Sequence, residues 1–215
     1  MRVSRPHKSM TTRATGVTAP TDAREGPPPE GDRELWLRAT SRGPDADAAF
    51  TALFERHAEA VWNYAYRLTA SWSSADDLLS ATFLTAWRLR SRVVLARESA
   101  RPWLFTVTAN LARDERRAGA RLVRLLRRLG AREPHADHAE GVADSDVAAR
   151  RLRAVLAAVE RLPRAEREIT RLCLLGGMSA ADASRLLGIT EATVRSRVSR
   201  ARARLRDLTQ GDDDA

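Results

Sequence analysis

The side chains most capable of chemistry in this sequence are arginines, and they are gathered in two places. Between Arg185 and Arg206 seven arginines stand against one acid, Glu191, and a second group of seven runs from Arg113 to Arg128. A guanidinium is a planar, permanently charged fork that matches phosphate oxygens. A merely solvated face would usually interleave signs. The chemistry on offer is recognition of a polyanion, nucleic acid first and an anionic membrane surface second. Against this stands a plain helical hairpin whose arginines only meet water. Catalysis has little support: there is no glycine-rich phosphate loop after a strand, no His-Glu-x-x-His and no nucleophile elbow. His135 and His138 flank Asp137 without a further ligand. The sole cysteine, Cys173, falls on an apolar stripe and excludes a disulfide framework. No catalytic residue, metal or cofactor is expected.

The elements around the group from Arg185 to Arg206 explain how it could be presented. Ser179-Ala180-Ala181-Asp182 has the form of a capping box at a helix start. Leu186 and Leu187 anchor that helix, and Gly188 suits a tight helix end. Thr190 can then cap a second helix with Val194, Val198, Ala201 and Leu205 inward. Two helices joined this way form a helix-turn-helix, whose second helix enters the major groove with its N-terminal side chains at base edges. Glu191, Thr193, Arg195, Ser196 and Arg197 are the early outward positions, and Arg200, Arg202, Arg204 and Arg206 continue toward phosphates.

The whole chain has 215 residues and a formal net charge of +9, with 43% hydrophobic and 30% charged residues, which fits a soluble globular protein. No apolar run is long enough to span a membrane, and a cytoplasmic location is expected. Residues 1–31 hold five of nine prolines and read as a disordered tail. Residues 32–130 form a first helical domain. Phe50, Leu53, Phe54, His57, Val61, Tyr64, Ala65 and Leu68 mark one helix face, on which His57 reads as a packed residue. A second helix is predicted from Ala75 to Arg90 with Ser74 near its start, then a loop at about residues 91–101. Pro102 suits the first turn of a third helix. Residues 131–146 read as an acidic linker, and residues 147–210 as a second domain. There Leu152, Val155, Leu156, Val159 and Leu162 form a stripe ended by Pro163, and a following helix ends at Gly176-Gly177. The fold class is all-α: two small helical domains on a flexible acidic linker, the C-terminal one containing the helix-turn-helix.

Four strings in the C-terminal domain go further: Leu162-Pro163-Arg164-Ala165-Glu166-Arg167-Glu168, Gly177-Met178-Ser179, the run from Leu187 to Arg197, and the run from Ser199 to Arg206. Together they resemble region 4 of bacterial sigma factors, most closely the extracytoplasmic-function (ECF) class. Asp76-Asp77-Leu78-Leu79, Thr82-Phe83-Leu84, Ala86-Trp87-Arg88 and Pro102-Trp103-Leu104-Phe105 followed by Asn110 resemble region 2 of the same class. The resemblance covers about residues 46–129 and 147–208. It implies a dissociable subunit of RNA polymerase that directs transcription from particular promoters. It also implies that Thr193, Arg195, Ser196, Arg197 and Arg200 contact the −35 element. Trp103, Asn110, Arg113, Arg116 and Arg117 would capture the melted −10 strand, since unstacked bases need π-faces and displaced phosphates need cations. Asp76, Asp77, Leu78, Phe83 and Trp87 would bind core polymerase at the β′ clamp helices, with the β flap a further partner. Promoter DNA and an anti-sigma factor complete the implied partners. The chain departs from the family pattern at Ser80-Ala81, where relatives usually carry Gln-Glu, at Thr108-Ala109 before the asparagine, and at Ala183. Two other readings compete: a stand-alone helix-turn-helix regulator, and a peripheral membrane protein using the basic amphipathic stretch 116–129.

Overall fold

Helix starts and stops in the computed structural model follow local side-chain chemistry. The structure describes residues 30–95, 98–129 and 143–210; nearly all of the predicted tail and most of the predicted linker, with His135 and His138, lie outside these. The elements are α1 (Asp32–Ala39), α2 (Pro44–Thr69), α3 (Trp72–Leu89), α4 (Arg101–Arg128), α5 (Ala143–Arg161), α6 (Arg164–Ile169) continuing through a π-helical segment Thr170–Leu175, α7 (Ala180–Leu187) and α8 (Glu191–Gln210). No strand occurs among the described residues. Pro44 and Pro102 sit in the first turns of α2 and α4, where a missing N–H costs nothing. The expected start of α3 near Ser74 is corrected: Ser71 is the cap, its hydroxyl accepting from the Ser74 N–H at 3.3 Å. α5 begins at Ala143, inside the stretch read as linker.

α2 is the central element. Leu53, Val61, Tyr64, Ala65 and Leu68 are buried along it, against Leu78, Phe83 and Ala86 of α3 and Leu104, Phe105 and Ala112 of α4. Tyr64 stacks on Phe105 with ring centroids 4.4 Å apart, a pair worth about 1 kcal/mol beyond area burial. Thr82 and Thr108 pair hydroxyls at 3.1 Å, and Thr108 also donates to the Leu104 carbonyl, so neither buried oxygen is orphaned.

The buried Asp32 ties α1 to α2 and α4. Its carboxylate meets His57 Nε2 and Arg56 Nη1, both at 2.6 Å, and accepts the Ala100 N–H at 2.8 Å. His57 is thus packed, as its place on the stripe implies.

The C-terminal helices are not held apart from the rest. Ile169, Leu172, Met178, Ala183 and Val194 belong to the same apolar cluster as Leu53 and Phe105. Arg67 of α2 donates to the Leu175 carbonyl at 2.6 Å. Gly176 makes this approach feasible: a Cβ there would stand 2.6 Å from the Leu172 carbonyl oxygen and 3.1 Å from the Tyr64 ring. The two helical units therefore also share a packed face.

Candidate nucleic-acid interface

The α7–turn–α8 hairpin forms as its sequence dictates. Ser179 accepts from the Asp182 N–H at 3.0 Å while donating to its carboxylate at 2.6 Å. Gly188 ends α7 in the left-handed region at φ 64°, where a side chain would be strained. Thr190 caps α8, accepting from the Thr193 N–H at 3.2 Å. Val194 and Ala201 are fully buried, which fixes the rotation of α8 and turns Arg195, Ser196 and Arg200 outward, with Thr193 and Arg197 at the margin. Arg195 is braced by Glu191 one turn earlier at 3.1 Å.

One residue that sequence reasoning left without a role organises this face. Glu166 on α6 is buried, and its two oxygens lie 3.6 Å from Arg200 Nε and 3.4 Å from Arg204 Nε. Both guanidiniums remain more than half exposed, so a buried acid orients them without hiding them. No local signal set Glu166 apart, since Glu168 stands two residues on in the same string and only the packing of α6 against α8 brings Glu166 beneath the arginines.

The α4 surface is arranged differently. Asn110 and Arg117 are exposed, while Arg113 and Arg116 are half-buried, and Arg113 donates to the Asn110 side chain at 2.9 Å. Arg116 reaches across to Glu160 of α5 at 2.8 Å. Arg167 and Arg171 converge on that same carboxylate. Trp103 packs edge-on against Trp36, centroids 5.1 Å apart, beside the segment 93–95 whose Val94 is strongly exposed. The residues assigned to the −10 strand thus share one helix, but Arg116 already faces an acid of the other unit, while Arg113 is held by Asn110 and Asp114 of its own helix.

On α3 the sequence reading needs correction. Leu78 and Phe83 are core residues and offer nothing to a partner, because the inner stripe of α3 is Ala75, Leu78, Thr82, Phe83 and Ala86. Trp87 is half-buried between Phe50 and Arg90, whose guanidinium sits 3.5 Å from its ring centroid. The outward stripe is Asp76, Asp77, Ser80, Leu84 and Arg88. Asp76 accepts from Trp62 Nε1 at 2.6 Å, next to a cluster of Trp62, Tyr66 and the exposed Trp72. Glu115 of α4 lies near this face, its pKa pushed up by burial and then by Asp77. An acidic surface with exposed aromatic and aliphatic groups is therefore set apart from both basic ones.

Residues 53–122 match the family model for sigma-70 region 2, and residues 152–205 match that for sigma-70 region 4. An ECF RNA polymerase sigma factor, SigL of Mycobacterium tuberculosis, is 32% identical over 74% of this chain and 88% of its own length. The chain belongs to the ECF class of RNA polymerase sigma factors. The sigma factor CarQ of Myxococcus xanthus is 35% identical over 76% of this sigma factor and 90% of its own length. Among solved structures, CnrH in complex with the cytosolic domain of CnrY aligns with a TM-score of 0.58 at 27% identity, over 84% of this sigma factor and 98% of that chain. This sigma factor accordingly serves to direct RNA polymerase to promoters. No described helix is long and apolar enough to cross a membrane.

Proposed function

We propose that α8 reads the −35 duplex while α3 and α4 serve the polymerase and the melted −10 strand. The observation that carries this is the presentation of Arg195, Ser196 and Arg200 on the outer face of a capped helix whose inner face is locked by Val194 and Ala201. Helices so presented enter a major groove N-terminus first. Arg195 and Arg197 reach base edges, and Arg200 and Arg204, oriented by Glu166, take phosphates. The acidic α3 face, Asp76, Asp77 and Leu84, docks on the β′ clamp helices, and region 4 meets the β flap. Trp103, Asn110, Arg113, Arg116 and Arg117 hold the displaced −10 strand, which requires α5 and α6 to move off α4 in the promoter complex. The sigma factor RpoE of Bartonella quintana was solved in complex with the anti-sigma factor NepR, and by analogy an anti-sigma factor restrains this chain in the cytoplasm. The protein itself performs no catalysis.

Because each basic surface is small, isolated protein should bind promoter DNA weakly and gain specificity only with core enzyme. Gel-shift assays with and without core polymerase test this. Equal sequence-specific affinity without core would instead describe an autonomous DNA-binding regulator.

A further inference from the structure

The packing of α4 against α5 and α6 leaves a half-open cavity of about 760 Å³ whose walls are unusually cationic. Arg113, Arg116 and Arg117 enter it from α4, and Arg164, Arg167 and Arg171 from the opposite side. Only two carboxylates, Glu160 and Glu168, line it with them, which leaves four positive charges in excess. Glu160 alone serves three guanidiniums, those of Arg116, Arg167 and Arg171. The donors do not all find acceptors. Arg171 is only 9% exposed, and its Nε and Arg116 Nη2 are buried with no hydrogen-bond partner, while buried Arg113 Nε has only the Asp114 carboxylate 4.0 Å away. Buried charged donors left unpaired are costly. Burial, and next the neighbouring cation of Arg171, hold Arg116 below the ordinary arginine range. Such a site lacks negative charge and acceptor oxygens in the amounts that several linked phosphates supply.

We propose that this cavity is a binding site for a compact polyphosphate anion, of the inorganic triphosphate or nucleoside triphosphate class. The volume lies within the range of small-molecule pockets, roughly 300–1,000 Å³, and a single carboxylate or sulfate would leave much of the excess charge unmatched. Arginine forks on both walls allow bidentate contact to successive phosphates. Bound there, the anion bridges α4 to α5 and α6 and holds the two units together. This goes beyond promoter recognition and does not depend on it.

The test is calorimetric titration of the full chain with inorganic tripolyphosphate, with ATP and sulfate as separate arms at constant ionic strength. Tripolyphosphate is expected to bind one per chain and to raise Tm, while sulfate does neither. Arg164→Gln, at the exposed rim where folding is unaffected, should weaken binding roughly tenfold, the loss of one charge-assisted hydrogen bond. Arg116→Gln should weaken it at least as much. Arg124→Gln, on the exposed outer part of α4, should leave affinity within about twofold. Equal affinity for ATP and tripolyphosphate assigns recognition to the phosphates, and tighter ATP binding adds the nucleoside; both support the site. No binding of tripolyphosphate, or an equal loss in Arg124→Gln, which would mark diffuse polyelectrolyte attraction, overturns the proposal.

Discussion

Helices α8 and α4 both carry dense arginine, yet their cations are deployed in opposite ways. On α8 the partners are in the same unit: Glu191 one turn back, and the buried Glu166 beneath Arg200 and Arg204. These acids brace the guanidiniums and leave them in solvent. On α4 Arg116 is half-buried against Glu160, an acid of the other unit, beside Arg167 and Arg171. The first face is preorganised and open to solvent; the second is engaged across the contact between the units. Arginine density alone does not make a reading surface, and the location of the countercharge decides which surface is available.

The comparison can be broken at several points. The largest effect is expected at Asp32, which holds the scaffold beneath α4. Burial would raise its pKa, but the Ala100 N–H, Arg56 and His57 outweigh that and hold it below the ordinary carboxylate value of about 3.9. A depressed carboxylate contributes stability that is complete above its unfolded pKa and lost as pH falls through the folded one. Asp32→Ala should cost roughly 3 kcal/mol, because it leaves the buried His57 ring, the Ala100 N–H and the Arg56 guanidinium without their shared acceptor. Asp32→Asn should flatten the loss of stability below about pH 4, and a pH series of urea melts reads both. An unchanged acid slope in Asp32→Asn would assign that stability to other groups.

Next in size, Arg195→Ala should reduce discrimination among −35 variants by about 1–3 kcal/mol, measured by competition binding of holoenzyme. Glu160→Gln should then loosen the contact between the units. With a half-exposed carboxylate the stability cost is about 1 kcal/mol or less, but small-angle scattering should show a larger radius of gyration. If the radius does not change, apolar packing around Gly176 and Tyr64 holds the units without the charge cluster. The smallest effect is expected at Arg204: its replacement by Ala should weaken binding about uniformly across promoters and lower the salt slope by about one unit. Loss of sequence discrimination there would move the reading face toward the C-terminus of α8.

What was legible in the sequence was whatever is written in adjacent residues. Ser179, Gly188 and Thr190 announce the hairpin because capping and left-handed turns are settled within four residues. The long α2 stripe was readable for the same reason. The α3 surface was not: motif matching placed Leu78 and Phe83 with Asp76 and Asp77, and only packing against α2 shows which stripe faces inward. Asp32 meets His57 across 25 positions, and Arg116 meets Glu160 across 44. No periodicity carries such pairings. The contact between units was missed because an acidic linker reads as separation, whereas Gly176 and Tyr64 allow close approach.

Run-off transcription with purified core polymerase, over a template set varied at the −35 position, tests the central claim most directly. Wild-type protein should initiate from a discrete promoter class, and Arg195→Ala should initiate from a broader one at reduced yield. Failure of the chain to co-elute with core and to support any transcript would contradict the account.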